Sequence, residues 1–416
     1  MADVRPLRGV RFNPRCSGPV GPLLAPPYDV AAAPGASSEF SIRHIEGIDL
    51  GNGADNHRVA AERYRDWLAR GVLVRDDDPA IYIHRHAFPH GDARVTRTGI
   101  LIRVRLSDWA ERVVLPHERT NPGPKEERLG RLRAVGANLS PLYFLYRDPD
   151  GAIRDLIAGV RRGKGARAGT DHMGGTHELI PVVDPEWHTS VAQVFADRAL
   201  FVADGHHRYE AALAYRDERR AAGNTDPDAP SEFVLALLAA VEDPGVLVRP
   251  THRVLVDAGT DAPETVLATA RAWFDVRTAT GAVPSDSDMF IGRLVLPGAF
   301  EIWDVFARPG NPHLDLMARD RGAVWRSLAV AGVEGLLASM VASGGLPDGS
   351  RLLPIVDGAE AVRQVKEGHA QAVFLLPEPG LDRLLAVAEQ GDLLPAKSTW
   401  FEPKAPAGLV INDLHE

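Results

Sequence analysis

Apolar and polar positions change their period several times along the chain, and each change predicts an element. From Asn56 to Arg70 the apolar and small residues Val59, Ala60, Tyr64, Trp67 and Leu68 recur at helical spacing, and Gly71 follows as a natural stop. From Gly99 to Arg105 the period falls to two: Ile100, Ile102 and Val104 share one face while Arg103 and Arg105 take the other, the pattern of a half-buried strand. Short apolar runs at Pro6 to Asn13, Ala80 to His84, Leu142 to Tyr146 and Leu179 to Val183 predict further strands, and a helix is expected over Ser190 to Ala199. Phe233 to Val241 is almost wholly apolar, as a strand covered on both faces would be. Glycines and prolines between Gly18 and Pro27 force an irregular loop, and Gly163 to Gly175 reads as a flexible one.

Past Thr251 short strands and helices alternate, broken by turn-rich stretches at Gly281 to Asp288 and Gly344 to Ser350. The expectation is an α+β fold, with an α+β unit over residues 1–250 and a second packed α/β unit over 251–416. The stretch Leu393 to Lys404 is polar and aromatic for a terminal tail, and is expected to return to the functional site.

Composition narrows the function classes. A formal net charge of −9 over 416 residues argues against a general nucleic-acid binder, which needs a basic surface, although a local basic pocket is allowed. Cys16 is the single cysteine, which excludes an intrachain disulfide and a cysteine-based zinc site and suits a reducing compartment. The first residues carry no apolar signal core, and no apolar run reaches the roughly 18 to 20 residues a bilayer span requires. A cytoplasmic protein without membrane partners is expected.

The most informative segment is Leu200-Phe201-Val202-Ala203-Asp204-Gly205-His206-His207-Arg208-Tyr209-Glu210, an apolar strand entering a helix through a glycine turn. Free backbone N–H groups and the positive end of the helix dipole suit an anion there. A purely structural reading makes Asp204 the helix N-cap and Gly205 a permissive turn residue. It leaves unexplained why two imidazoles and a guanidinium occupy a first turn where positive charge opposes the dipole. In the functional reading Gly205, His206, His207 and Arg208 hold a phosphate, the histidines donate hydrogen bonds or shuttle protons, and Asp204 orients a nucleophile or holds Mg2+. The competing functional reading is a transition-metal site of Asp204, His206 and His207, with His172 and His177 as further ligands.

Other candidates lie in loops. His117 and Glu118 precede the rigid turn Asn121-Pro122-Gly123-Pro124, after which a basic helix begins near Lys125. That helix reads either as a surface element with i,i+4 pairs such as Glu127 with Arg131, or as a source of phosphate contacts from Lys125 and Arg128. Lys397, Ser398 and Thr399 have the composition of a phosphate clamp, but no glycine-rich P-loop precedes them, which excludes Walker chemistry. Asp29, in Pro26-Pro27-Tyr28-Asp29, is a candidate general base. No G-x-S-x-G, H-E-x-x-H, C-x-x-C or dinucleotide fingerprint is present.

Taken together, Ala25-Pro26-Pro27-Tyr28-Asp29-Val30, His117-Glu118-Arg119-Thr120, Ala203 to Glu210, Pro250-Thr251-His252-Arg253 and Lys397-Ser398-Thr399 resemble the bacterial and archaeal family filed as domain of unknown function 1015, in order and over nearly the whole chain. By itself the Asp-Gly-His-His-Arg box is similar to the phosphate-binding turn of the ParB/sulfiredoxin superfamily. One branch of that superfamily, the ADP-dependent free serine kinases, moves a phosphoryl group between a nucleotide and the serine hydroxyl. The resemblance implies a ParB/sulfiredoxin-like mixed-sheet core and puts residues 204–208 on the phosphate-binding turn. Free serine kinases also use a glutamate in the N-terminal part of the fold; here Asp29 or Glu118 is taken in its place.

The function expected is phosphoryl transfer, as phosphotransferase or phosphatase, on a small metabolite such as serine or phosphoserine, with an adenine nucleotide as co-substrate and Mg2+ as cofactor. The alternative is a nucleotide-binding regulator without turnover, followed by a ParB-like nuclease or a metal-dependent hydrolase.

Overall fold

The computed structural model describes residues 2–25, 38–46, 54–120, 122–163, 165–281, 290–298, 302–308 and 320–415. Contacts divide the chain into a first unit of Met1–Pro116, Thr120–Leu247 and Glu402–Glu416, and a second of His117–Arg119 and Val248–Phe401. The fold is α+β.

In the first unit nine strands form one mixed sheet: β1 (Val4–Arg5), β2 (Ile81–His90), β3 (Ala93–Arg105), β4 (Val114–Leu115), β5 (Leu142–Tyr146), β6 (Arg167–Thr170), β7 (Thr176–Val182), β8 (Leu200–Asp204) and β9 (Phe233–Ala240). Their order is β4-β8-β5-β9-β3-β2-β7-β6, with β1 pairing on β3. Strand β9 lies parallel to β5 and antiparallel to β3, which explains its apolar run: it is covered on both faces. The helices described in this unit include α1 (Arg43–Glu46), α2 (Ala54–Ala69), α3 (Pro122–Val135), α4 (Pro185–Ala196) and α5 (His206–Ala221).

Alternation decides the packing. Ile100, Ile102 and Val104 of β3 join Leu142 and Phe144 of β5 and Val202 of β8 in a core that also takes Val191 and Phe195 of α4 and Tyr209 of α5. A second core gathers Val10, Phe12, Ile42 and Ile45 with Tyr64 and Trp67 of α2, Val135 of α3, and Ala407 and Ile411 of the C-terminal segment.

Two expectations need correction. Strands β2 and β3 run well past the predicted Ala80 to His84 and Gly99 to Arg105, forming a long hairpin turned at Gly91. The extensions, residues 85–90 and 93–98, are largely polar or charged, so no apolar alternation marks them. The stretch Gly163 to Gly175 is not simply a loop: Arg167–Thr170 pairs antiparallel with β7, through backbone bonds that need no apolar side chains.

The second unit holds a six-stranded sheet of β10 (His252–Val256), β11 (Asp275–Thr278), β12 (Phe290–Val295), β13 (Ile302–Phe306), β14 (Arg351–Ile355) and β15 (Ala372–Leu375). The order is β11-β13-β12-β15-β10-β14, every pair antiparallel. Its helices include α6 (Ala262–Trp273), α7 (Ala329–Ala342), α8 (Gly358–Lys366) and α9 (Leu381–Gln390). Among the described residues no helix is long and apolar enough to cross a membrane.

Candidate functional site

Strand β8 reaches the turn through a bulge: Val202 lies opposite Phe144 and Asp204 opposite Tyr143, so Ala203 is the extra residue. Gly205 then adopts φ 104°, where a Cβ would come within 2.6 Å of Leu142 Cδ2, and α5 begins at His206. The helix cap is Gly205 and makes no side-chain cap bond, so the reading of Asp204 as N-cap is corrected.

Asp204 is instead bracketed by cations. Its Oδ2 accepts from Arg208 Nη2 at 2.6 Å and its Oδ1 from Lys404 Nζ at 2.5 Å. Arg208 Nη1 donates to Ser140 Oγ at 2.9 Å and to the Pro141 carbonyl at 2.8 Å. Lys404 belongs to the C-terminal segment Glu402–Glu416, where Arg97 also donates to the Pro403 carbonyl. The guanidinium of Arg208 is thus partly satisfied inside the protein.

A cavity of about 60 Å³ remains, lined among others by Glu46, Arg128, Arg131, Ser140, Leu142 and Arg208. It has room for a phosphoryl-sized group but is small beside the roughly 300–1,000 Å³ typical of whole-ligand pockets. Three guanidinium groups face a single carboxylate in this lining, so the cavity favours an anion. Arg131 is also paired with Glu127 at 2.6 Å, the expected i,i+4 contact. Glu127 in turn meets His57 at 2.6 Å, and the pair lies in a buried setting instead of on a solvated face.

Glu46 ends α1, buried beside the core residues Ile42 and Ile45. Burial pushes its carboxyl above the ordinary carboxylate range, against the opposing pull of the Ser140 hydroxyl bond and of the charges of Arg208, Arg131 and Arg128. Arg208 thus holds the Ser140 hydroxyl, and both residues line the cavity together with Glu46.

The sequence candidates distribute as follows. Asp204, Gly205 and Arg208 lie together at the turn, with Arg208 paired to Asp204. His206 is buried and His207 half-buried, and among the described residues neither lines the cavity; consecutive helical positions diverge by about 100°. Lys125 is likewise outside the lining, and its helix contributes Arg128 and Arg131 instead. Asp29 lies outside the described residues.

His117, Glu118, Lys397 and Ser398 come together within the second unit. Glu118 accepts from the backbone N–H groups of Lys397 and Thr399 at 3.0 and 2.8 Å and from Thr399 Oγ1 at 2.6 Å, while His117 Nε2 lies 2.8 Å from Thr399 Oγ1. The Lys397 carbonyl accepts from Thr251 Oγ1 and buried Arg253, and Ser398 Oγ donates to the Pro395 carbonyl. The boxes around 117, 251 and 397 are thus bound to one another by hydrogen bonds that fix a turn.

Glu46, Ser140 and Lys404 were missed as individual residues. Glu46 gives no local signal, since its importance lies in being buried; Lys404 sits at the end of the tail already singled out.

The transition-metal alternative at the turn is corrected. Among the described residues, the grouping of three ligand side chains is His86, Asp171 and His177, and it excludes Asp204, His206 and His207. His172 is exposed on its turn.

A family profile described as a protein of unknown function, DUF1015, matches residues 4–331. The chain belongs to this family. Comparison with curated proteins gives no match. Among solved structures, this DUF1015 chain is similar to a mutant free serine kinase in complex with AMP, at 13% identity and a TM-score of 0.40 over 77% of this chain and 95% of that one. It is also similar to a mutant free serine kinase in complex with ADP, at 12% identity and a TM-score of 0.40 over 77% and 95%. A third is SbnI with a C-terminal truncation from Staphylococcus aureus, at 14% identity and a TM-score of 0.38 over 74% and 86%.

Proposed function

We propose that this chain transfers a phosphoryl group between an adenine nucleotide and the hydroxyl of a small metabolite, serine or phosphoserine being the pair to test first. The observation that carries this reading is the cavity where Arg128, Arg131 and Arg208 surround a buried carboxyl at the strand-turn-helix. Guanidinium groups fork onto phosphoryl oxygens and offset the charge that builds on them during transfer. The Asp-Gly-His-His-Arg box, similar to that of the ParB/sulfiredoxin superfamily, supports a nucleotide phosphate as the occupant.

Glu46 is the base this reading assigns. In its ionised form it takes the proton of the attacking hydroxyl as the new O–P bond forms and the bond to the departing nucleotide oxygen breaks. Its raised carboxyl pKa makes it a stronger base than an exposed glutamate would be. Asp204 acts by holding Arg208 and Lys404 in place. A bare Mg2+ on Asp204 does not fit, because both its oxygens already face cations and the adjoining cavity is lined by guanidinium groups.

The test is phosphate exchange between phosphoserine and AMP or ADP by the purified protein, followed by phosphorus NMR. Turnover is expected, and Glu46→Gln should lower kcat by about 10²–10⁴-fold while nucleotide binding persists. Nucleotide binding without turnover of any phosphorylated metabolite would overturn the enzyme reading in favour of the regulator. Absence of both would remove the site.

A further inference from the structure

His84 and His86 stand two residues apart on β2 and so project from one face, and His177 of β7 is registered directly opposite His86. The rings stack, with centroids 4.0 Å apart for His86 and His177 and 5.3 Å apart for His84 and His177. Asp171, in the turn between β6 and β7, is fixed through Oδ1, which accepts the N–H groups of Met173 and Gly175 at 2.8 Å each. Its Oδ2 is thereby aimed at the imidazoles, 2.9 Å from His177 Nε2 and 3.8 Å from His86 Nε2.

Two independent observations point to an occupant. His86 is 6% exposed, and neither of its ring nitrogens has a hydrogen-bond partner in the protein. Buried imidazole nitrogens ordinarily find one. The gap beside it is kept open by Gly175, where a Cβ would lie 2.5 Å from His86 Nε2 and 2.7 Å from Asp171 Oδ2.

We propose that His86, Asp171 and His177 bind a divalent transition metal of the zinc class. One ligand atom from each lies within 4.8 Å of the others, and two imidazoles with one carboxylate are a common three-ligand set that leaves a further coordination position open. Ligand atoms about 2.0–2.2 Å from one ion are separated by a little over 3 Å. His177 Nε2 and Asp171 Oδ2, 2.9 Å apart, already stand near that spacing, whereas His86 Nε2, 3.8 Å from the same oxygen, has to move in and its ring to turn out of the stack on His177. His84 Nε2, 3.0 Å from His177 Nδ1, supplies the second hydrogen bond that orients a ligating imidazole. With Nε2 on the metal, His177 carries its proton on Nδ1 and donates to His84. The positive charge of Arg97 reaches both His84 and His86, so the Asp171 carboxylate decides whether a cation is accepted.

The experiment uses the full chain, stripped with a chelator and dialysed against Zn2+ or, separately, Co2+. Retention of about one equivalent is expected, with visible absorption from Co2+ in a low-coordinate imidazole and carboxylate site. Asp171→Asn and His177→Gln should each weaken binding at least roughly tenfold and remove the visible bands. Gly175→Ala should do the same by filling the gap without altering a ligand, and circular dichroism checks that each variant is folded. Retention far below one equivalent by the unaltered protein, or equal retention by folded Asp171→Asn and Gly175→Ala proteins, would overturn the proposal.

Discussion

The ammonium of Lys404 lies 2.5 Å from Asp204 Oδ1, joining residues 200 positions apart in sequence. Both side chains are largely buried, at 10% and 14% exposure, and Arg208 approaches the other carboxylate oxygen. Replacing Asp204 by Asn leaves two cations facing each other without their counter-charge, and should cost about 3–5 kcal/mol of stability. Lys404→Met should cost less, because Arg208 still pairs the carboxylate. Urea unfolding of both single variants and the double variant measures the coupling; strictly additive losses would show that the pair is not energetically linked.

Much of this arrangement could be read from the chain, and the unread parts share a cause. The strand, Gly205 and the helix after it follow from local pattern, since a glycine between an apolar strand and a helical period has few alternatives. Phe233 to Val241 is legible for the same reason. Glu46 and Ser140 carry no local signature, because their roles arise from burial against Ile42, Ile45 and Arg208, which only the tertiary fold creates. Glu118 reads in sequence as a candidate base, but the fold turns its oxygens to the backbone of residues 397–399, a contact that joins segments far apart in the chain and leaves no local signature. His84 and His86 carry no signal of their own, because a polar residue in a strand reads locally as solvent-facing and only the pairing of β2 with β7 brings His177 against them.

Glu46 predicts a pH signature. Its folded-state carboxyl is raised above the ordinary 4.5, so the folded protein retains a proton that the unfolded chain has released. This contribution is fully present below 4.5 and is lost as pH rises from there through the elevated value. Glu46→Gln removes it. The stability of the variant relative to the unaltered protein should therefore improve with rising pH across that window, even as activity is lost. Denaturant titrations from pH 4 to 8 measure this, and parallel curves for the two proteins would contradict the assignment.

Glu118 is expected to behave as a bracket for the turn at 397–399. Its two oxygens accept from three donors, and glutamine offers one acceptor oxygen with an amide that meets an N–H group head-on. The loss should be about 1 kcal/mol, because glutamine can keep its oxygen on the two Thr399 donors and leaves only the exposed Lys397 N–H facing its amide. Hydrogen exchange at the Lys397 and Thr399 amides should accelerate in Glu118→Gln, and unchanged protection at both would rule out the bracket.

Gly205 ties the backbone to the chemistry most directly. At φ 104° an alanine is strained whatever the surrounding space, and its Cβ would also lie 2.6 Å from Leu142 Cδ2 and 3.0 Å from Arg208 Nη2. The backbone strain alone should cost about 1–3 kcal/mol. The second clash matters more for function, because relieving it moves the guanidinium away from Ser140 and Asp204 and out of the cavity lining. Gly205→Ala should therefore weaken inorganic pyrophosphate or ADP binding by more than its loss of stability explains, when binding is measured by calorimetry at a temperature where the variant is fully folded. If the folded variant binds these phosphates as tightly as the unaltered protein, the anion does not sit against Arg208, and the turn serves the fold alone.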